Sequence, residues 1–244
     1  MTAKPPFEAV ILAGGLGTRL APYTTVLPKP LMPVGGRPIL GIIIEQLRDA
    51  GCTKVTLAVN HMADLIAAVL GDGSRFGLEI TYSREQKALG TIAPLKLIET
   101  LPERFIVMNG DVLTKLDPAE LYAAHVAAKC RFTIASCHRE VKIDFGVLDF
   151  DPVASRLLGH REKPKYEYSV SMGMYGIDRS LLGDIPPDTP YGADTLALAM
   201  LARKEPVNIY PYRGYWLDLG RPADFERANS EVHELGLVAP DDSL

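Results

Sequence analysis

The segment Leu12-Ala13-Gly14-Gly15-Leu16-Gly17-Thr18-Arg19-Leu20 follows an apolar run and carries groups suited to holding a phosphate chain. Glycines after a strand let backbone N–H groups come close to phosphate oxygens, and a following helical turn adds its positive end. Arg19 stands where its guanidinium fork could clamp a polyphosphate. A second segment, Pro28-Lys29-Pro30-Leu31, sets a lysine between two prolines. The prolines stiffen the backbone on both sides, so Lys29 can deliver a point charge to a phosphate at little entropic cost. The glycine loop is not a Walker A loop, because no Gly-Lys-Ser/Thr follows. Nor is it the dinucleotide fingerprint, since Leu20 replaces the third glycine and no acidic residue ends the next strand. No nucleophilic triad is evident, and His61, His125, His138, His160 and His233 form no spacing set.

These groups need a frame, and the sequence supplies one. Phe7–Leu12 reads as a buried strand leading into the glycine loop. Ile39–Leu47 places Leu40, Ile43, Ile44 and Leu47 at helical spacing, and Gly51 stops that helix. Strands follow at Lys54–Asn60, Leu78–Ser83 and Phe105–Met108, with helices at His61–Leu70 and near Ile92–Glu99. This alternation implies a mainly parallel sheet covered on both faces. Ligands in such sheets bind beyond the carboxyl ends of the strands, so Gly14–Arg19 and Asn109–Asp111 should face one crevice. The second half is richer in strands, at Arg131–Cys137, Phe145–Phe150, Arg156–Arg161, Val170–Ile177, Val207–Tyr210 and Tyr215–Leu219. Helices are expected at Ala193–Leu201 and, with proline at its start, Pro222–Leu235. The expectation is one Rossmann-like α/β domain over 1–244, with a mixed, mainly parallel sheet flanked by helices and a strand-rich C-terminal part.

Composition sets the outer bounds. The 244 residues are 47% hydrophobic and 23% charged, a globular balance that excludes a disordered or collagen-like chain. A net charge of −4 gives no basic footprint for nucleic acid. The longest apolar runs fall far short of a membrane span, and MTAKPPFEAV has no apolar h-region. Cys52, Cys130 and Cys137 show no metal or disulfide spacing, which fits reduced thiols in a cytoplasmic enzyme. The chain ends soon after residue 235, so a second catalytic module is not expected.

LAGGLGTRL followed by PKPLMPVGG resembles the signature of the sugar-1-phosphate nucleotidyltransferases, the nucleoside-diphosphate-sugar pyrophosphorylases. The likeness continues in family order through Gly90-Thr91, Asn109-Gly110-Asp111, Phe145-Gly146-Val147, Glu162-Lys163-Pro164, Ser171-Met172-Gly173-Met174-Tyr175 and Gly214-Tyr215-Trp216-Leu217-Asp218-Leu219-Gly220. It spans about residues 8 to 230; each motif alone is unspecific, but their ordered co-occurrence is not.

The resemblance implies the nucleotide-diphospho-sugar transferase fold, with a nucleotide half over about 7–115 and a sugar-phosphate half over about 116–235. It implies a reaction joining a nucleoside triphosphate and a sugar 1-phosphate, with release of pyrophosphate. The nucleophile is then a phosphate oxygen, already ionised at neutral pH, so no general base is required. Catalysis would rest on alignment and charge neutralisation. By the same likeness Asp111 and Asp218 would hold Mg²⁺, which favours a few carboxylates plus substrate phosphates. Arg19 and Lys29 would hold the triphosphate, and Lys163 would neutralise the sugar phosphate. Glu162 would accept from sugar hydroxyls, with Gly146, Ser171 and Gly173 lining the sugar. Leu12, Ala13, Gly14, Gly15, Gly17, Thr18, Gly90, Thr91, Asn109 and Gly110 would bind the nucleotide.

Counting back from Gly90 puts Glu85 at the base-reading place, with Gln86 beside it. A carboxylate suits the two donors of guanine, whereas a glutamine suits uracil or thymine. GTP stands first, with UTP, dTTP and CTP open. Two departures bear on this choice: Ile92 and Pro94 alter the turn after Gly90-Thr91, and Ser171-Met172-Gly173 resembles the adenylyl-transferring glucose pyrophosphorylases. A homo-oligomer is common in that family. A non-catalytic nucleotide-sugar sensor on the same fold is the alternative reading.

Overall fold

The computed structural model describes residues 5–238. In chain order its elements are β1 (Phe7–Leu12), β2 (Pro33–Val34), β3 (Arg37–Pro38), α1 (Ile39–Asp49), β4 (Cys52–Val59), α2 (Ala63–Leu70), β5 (Glu79–Arg84), β6 (Arg104–Asn109) and β7 (Val112–Thr114). They continue with α3 (Pro118–Ala128), β8 (Phe132–Lys142), β9 (Val147–Asp151), β10 (Arg156–Arg161), β11 (Lys165–Asp178), α4 (Ala193–Ala202), β12 (Asn208–Tyr212), β13 (Trp216–Asp218) and α5 (Pro222–Glu231).

Seven strands form one sheet in the order β12-β8-β11-β6-β1-β4-β5. Strands β6, β1, β4 and β5 are parallel, and β12 is parallel to β8. Strand β11 runs antiparallel to both its neighbours, which makes the sheet mixed. Its central strands read as apolar runs because both faces are covered. On one face α1 buries Ile39, Leu40, Ile43, Ile44 and Leu47, and α2, α3 and α5 add Ile66, Leu121 and Phe225. On the other, Leu95, Leu181, Leu196 and Met200 pack over Val10, Val107 and Phe105. The carboxyl ends of β1 and β6 are in register, Leu12 beside Asn109, so the loops that follow them leave the sheet together.

The structure departs from the expected elements at several points. The helix expected near Ile92–Glu99 is a short 3₁₀ segment, Ala93–Leu97. The Ile92 and Ala93 N–H groups both donate to Tyr191 O, at 2.9 and 3.2 Å, and Pro94 has no N–H to give. The last helix ends at Glu231 rather than Leu235. Helix α3 was not foreseen, because its apolar residues are spread around the helix. Its local signal is Asp117-Pro118, with Asp117 Oδ1 accepting from Ala119 N–H at 2.9 Å. Strands β8 and β11 run well past the expected Arg131–Cys137 and Val170–Ile177.

The three cysteines are free; Cys52 and Cys137 are buried and Cys130 is half-buried. Burial pushes the Cys52 thiol up to about 12, so it behaves as a core apolar group. No helix among the described residues is long and apolar enough to cross a membrane.

His125 of α3 is fully buried, with Nδ1 at 2.9 Å from Thr133 Oγ1 and Nε2 without a hydrogen-bond partner. Burial first, and the Arg104 charge second, hold its imidazole below the ordinary histidine value. The unfolded chain therefore takes up a proton that the fold resists. Its contribution to stability is whole above the unfolded value of about 6.5 and falls as pH drops below it. The melting temperature of His125→Asn, which retains a group able to bond Thr133, should show a shallower fall from pH 7 to about pH 5 than the wild type. Parallel pH curves for the two proteins would refute this.

Candidate active site

A cleft of about 260 Å³ opens at the carboxyl ends of β1 and β6. Its walls include Leu12, Ala13, Gly14 and Gly15 from the glycine loop and Asn109, Gly110 and Asp111 from the end of β6. Glu85, Gly90 and Thr91 line it from the third side, and Lys29 enters with Pro30. Eleven residues expected at the site from sequence thus share one cavity.

The glycine loop is shaped by close packing. Gly17 has φ 62°, and a Cβ there would come within 2.8 Å of Thr24 Cγ2 and 3.2 Å of Lys29 Cβ. Only glycine takes that conformation and that contact without strain. Thr24, itself buried, donates its hydroxyl to Gly17 O at 2.9 Å and ties the loop to the stiff Lys29 segment. A Cβ on Gly14 would lie 2.9 Å from Glu85 Oε1, so the Glu85 carboxylate stands directly across the cleft floor. Gly17 and Thr18 do not themselves line the cavity, and Thr18 is exposed.

The two aspartates meet because two short strands pair. Asp111 immediately precedes β7, Asp218 ends β13, and the antiparallel register sets Asp218 opposite Val112. Leu219 N–H donates to Asp111 O at 3.0 Å and closes the ladder. Lys29 Nζ, almost buried, donates to Asp111 Oδ2. The protein crowded around Asp218, and then the Asp111 charge, push its carboxyl above the usual value; Lys29 and Arg19 offset this in part. Arg19 packs against Gly220, two residues beyond Asp218. Two carboxylates and two cations therefore form one electrostatic cluster, of which Asp111 and Lys29 line the cleft while Asp218 and Arg19 do not.

This donor set fits magnesium. The oxygens are hard, the two carboxylates raise the local negative charge density, and the open cleft adjoins Asp111, with room for waters and phosphate oxygens. No group of three or more His, Cys, Asp or Glu among the described residues could cage an ion without a substrate.

Glu85 settles against the turn that follows it. Its Oε2 accepts from Leu89 N–H at 3.2 Å, and burial pushes its carboxyl above the usual glutamate value. Gln86 is exposed and does not line the cleft. The turn is strapped to the entry of α4. Tyr191 N–H donates to Leu89 O at 2.8 Å, and Ala193 N–H donates to Thr91 Oγ1 at 2.9 Å. Tyr191 and Thr24 were not foreseen, and no short-range pattern marks them; both act through contacts formed only in the folded chain.

The expected sugar-side residues divide into two groups. Gly173 sits at a break in the β8–β11 register, where a Cβ would come within 2.6 Å of Asn109 Nδ2, so this bulge adjoins the cleft. Ser171 Oγ accepts from Gly173 N–H at 3.4 Å and donates to the Tyr175 hydroxyl at 3.3 Å. Asn109 Oδ1 is buried without a partner, an uncommon state away from functional sites. Gly146, Glu162 and Lys163 are exposed in the connections that flank the β9–β10 pair, and none of them lines the cleft. Lys163 has φ 42°, a costly backbone state that it shares with five other non-glycine residues among those described. Glu162 Oε2 lies 3.7 Å from His160 Nε2.

A nucleotidyl transferase family model matches residues 8–234. Among curated proteins, the mannose-1-phosphate guanyltransferase of Pichia angusta is 31% identical over 226 residues, covering 89% of this chain and 62% of that protein. The mannose-1-phosphate guanyltransferase of Saccharomyces cerevisiae is 32% identical with the same coverage. The chain therefore spans less than two thirds of the length of these relatives. Among solved structures, a Bacillus anthracis protein assigned as a glucose-1-phosphate thymidylyltransferase, in complex with sucrose, superposes with a TM-score of 0.74 at 25% identity, covering 98% of this chain and 97% of that one. HddC from Yersinia pseudotuberculosis complexed with GMP-PN gives a TM-score of 0.68 at 25% identity, covering 92% and 99%.

Proposed function

Because the chain belongs to the nucleotidyl transferase family, we propose that it joins GTP and a sugar 1-phosphate to give a GDP-sugar and pyrophosphate. The observation that carries this reading is the charge cluster of Asp111, Asp218, Lys29 and Arg19, which reaches the cleft through Asp111 and Lys29. The curated relatives are mannose-1-phosphate guanyltransferases, and Glu85 presents an acceptor-only carboxylate to the base pocket. Mannose 1-phosphate is accordingly the first acceptor to test.

In this reading a sugar-phosphate oxygen attacks the α-phosphorus of GTP. A new P–O bond forms, and the bond to the β-phosphate bridging oxygen breaks, its electron pair leaving with pyrophosphate. No proton need be moved, so the protein's task is alignment and charge. Backbone N–H groups of the Gly14–Gly15 loop cradle the triphosphate. Arg19 and Lys29 gather charge on the leaving pyrophosphate, and Lys29 exchanges its Asp111 partner for phosphate oxygens. Lys163 neutralises the sugar phosphate, Glu162 accepts from sugar hydroxyls, and Gly146, Ser171 and Gly173 complete the sugar side. Asp111 and Asp218 would hold Mg²⁺, which supplies Lewis-acid stabilisation of the α-phosphate charge.

The reading includes a single domain, with a nucleotide half over about residues 7–115 and a sugar-phosphate half over about 116–235, working in the cytoplasm, where the three free thiols stay reduced. A sensor without catalysis would have no use for an aspartate pair coupled to two cations, and none of the five charged groups is lost.

The test is a pyrophosphate-release screen with Mg²⁺, crossing GTP, UTP, dTTP, CTP and ATP against hexose, amino-sugar and heptose 1-phosphates. GTP with mannose 1-phosphate should give the strongest signal. Silence for every pair with folded protein would remove the transferase reading, and a stronger signal with another nucleotide would remove the guanine assignment.

A further inference from the structure

Between the two cations of the charge cluster the chain runs over the surface. Of residues 21–27, which lie between Arg19 and Lys29, only Thr24 is buried. Tyr23 and Val26 nearby are 61% and 77% exposed. Threonine is mostly a surface residue, and an apolar side chain would anchor such a segment at least as well. The single inward side chain of the 3₁₀ segment Tyr23–Thr25 instead carries a hydroxyl.

Both ends of that side chain are engaged. The hydroxyl donates to Gly17 O at 2.9 Å, a carbonyl that also accepts from Leu20 N–H at 2.9 Å. The second of these bonds closes the 3₁₀ turn Thr18–Leu20, which has Arg19 at its centre. Thr24 thus holds the carbonyl on which the Arg19 turn is built. The methyl faces the other cation. A Cβ on Gly17 would lie 2.8 Å from Thr24 Cγ2 and 3.2 Å from Lys29 Cβ, so the glycine loop, Thr24 and the stem of Lys29 meet at one point.

The two cations differ in what else fixes them. Lys29 is almost buried and donates to Asp111. Arg19 is exposed, and its guanidinium lies against Gly220. The aim of an exposed arginine is set from its backbone, and that backbone depends on Gly17 O. Donors stabilise a developing charge only when they already stand where it appears. A loose Arg19 turn would leave both charges in the molecule and still lose their convergence.

We propose that Thr24 is a positioning residue for the transfer step, setting the spacing of Arg19 and Lys29 around the leaving pyrophosphate without touching substrate. This rests on the transferase reading. The sugar phosphate is neutralised by Lys163 in that reading, so the loss falls on turnover and on pyrophosphate, not on the sugar side.

Two variants separate positioning from packing. Thr24→Val keeps the shape and the methyl and removes the donor. Thr24→Ser keeps the donor and removes the methyl. With packing alone at stake, turnover follows the melting temperature and serine offers no rescue. With positioning, Thr24→Val should lower kcat by about 10- to 100-fold with KM for the sugar phosphate within about twofold of the wild type, and Thr24→Ser should keep kcat within about threefold. Calorimetric titration with inorganic pyrophosphate and Mg²⁺ reads the same geometry without turnover. Thr24→Val should bind it about tenfold more weakly, and Thr24→Ser should not. Should Thr24→Val fail to fold, Thr24→Ala against Thr24→Ser isolates the same hydroxyl. Wild-type kcat and pyrophosphate affinity in the variant without the hydroxyl, or a serine variant as impaired as it, overturns the proposal. A wild type that is silent with every substrate pair strikes the transferase reading instead, and the pyrophosphate titration still shows whether Thr24 holds the two cations in place.

Discussion

Asp111→Asn is expected to lower kcat for pyrophosphate release about a thousandfold while leaving nucleotide affinity within a few-fold of the wild type. The asparagine keeps the shape of the side chain but removes half of the anionic pair that would hold the divalent cation. In the proposed reading nucleotide binding draws on other groups that line the cleft: the backbone of Gly14 and Gly15, the turn at Gly90 and Thr91, and Glu85. In the folded chain Asp111 also engages Lys29. Removing the carboxylate frees that ammonium for the triphosphate, which offsets part of any lost affinity. The cost therefore falls on the chemical step. Asp218→Asn should behave alike. The double variant should be little worse than either single one, because the two carboxylates act as one unit. Turnover within tenfold of the wild type in Asp111→Asn, measured with saturating Mg²⁺, would break the link between this cluster and catalysis.

The parts of this molecule that were legible in sequence are those whose signals are local. β1 falls on the expected Phe7–Leu12 because five of its six residues are apolar, four of them in a row directly before the glycine loop. The convergence of Gly14, Asn109 and Asp111 followed from strand order, since parallel strands send their following loops to one side. The approach of Asp218 to Asp111 was different in kind. It required family likeness, because the β7–β13 ladder joins residues over a hundred positions apart through three-residue strands too short to announce themselves. What was missed is also non-local. Thr24 looks like one polar residue among several until its hydroxyl is seen holding Gly17 O. Where a helix is expected after Thr91 the chain forms only the 3₁₀ segment Ala93–Leu97, whose entry is anchored to Tyr191 O through a contact about a hundred residues away. Helix α3 is the exception among these: its cap at Asp117 is a local signal, but with no apolar stripe beside it the cap alone does not announce a helix.

The choice between Glu85 and Gln86, left open by counting along the chain, turns on which side chain the fold directs inward. Glu85 faces the cleft and Gln86 faces solvent. Glu85→Gln is therefore expected to reduce the preference for GTP over UTP by about 10- to 100-fold in kcat/KM. The ionised carboxylate can accept from both guanine N1–H and the exocyclic amine, and bonds to a charged acceptor are the stronger kind. Glutamine offers one acceptor and sets an N–H against a guanine donor. The pH profile supplies an independent check. Burial holds the Glu85 carboxyl above its ordinary value, with the Leu89 N–H only partly opposing. Its charged form is thus lost at a higher pH than for an exposed glutamate. As pH falls through that raised value, the wild type should lose kcat/KM for GTP faster than for UTP. In Glu85→Gln, which has no proton to gain there, the ratio should stay flat. An unchanged GTP preference in the variant would mean that this carboxylate does not read the base, and the guanine assignment would then rest on the relatives alone.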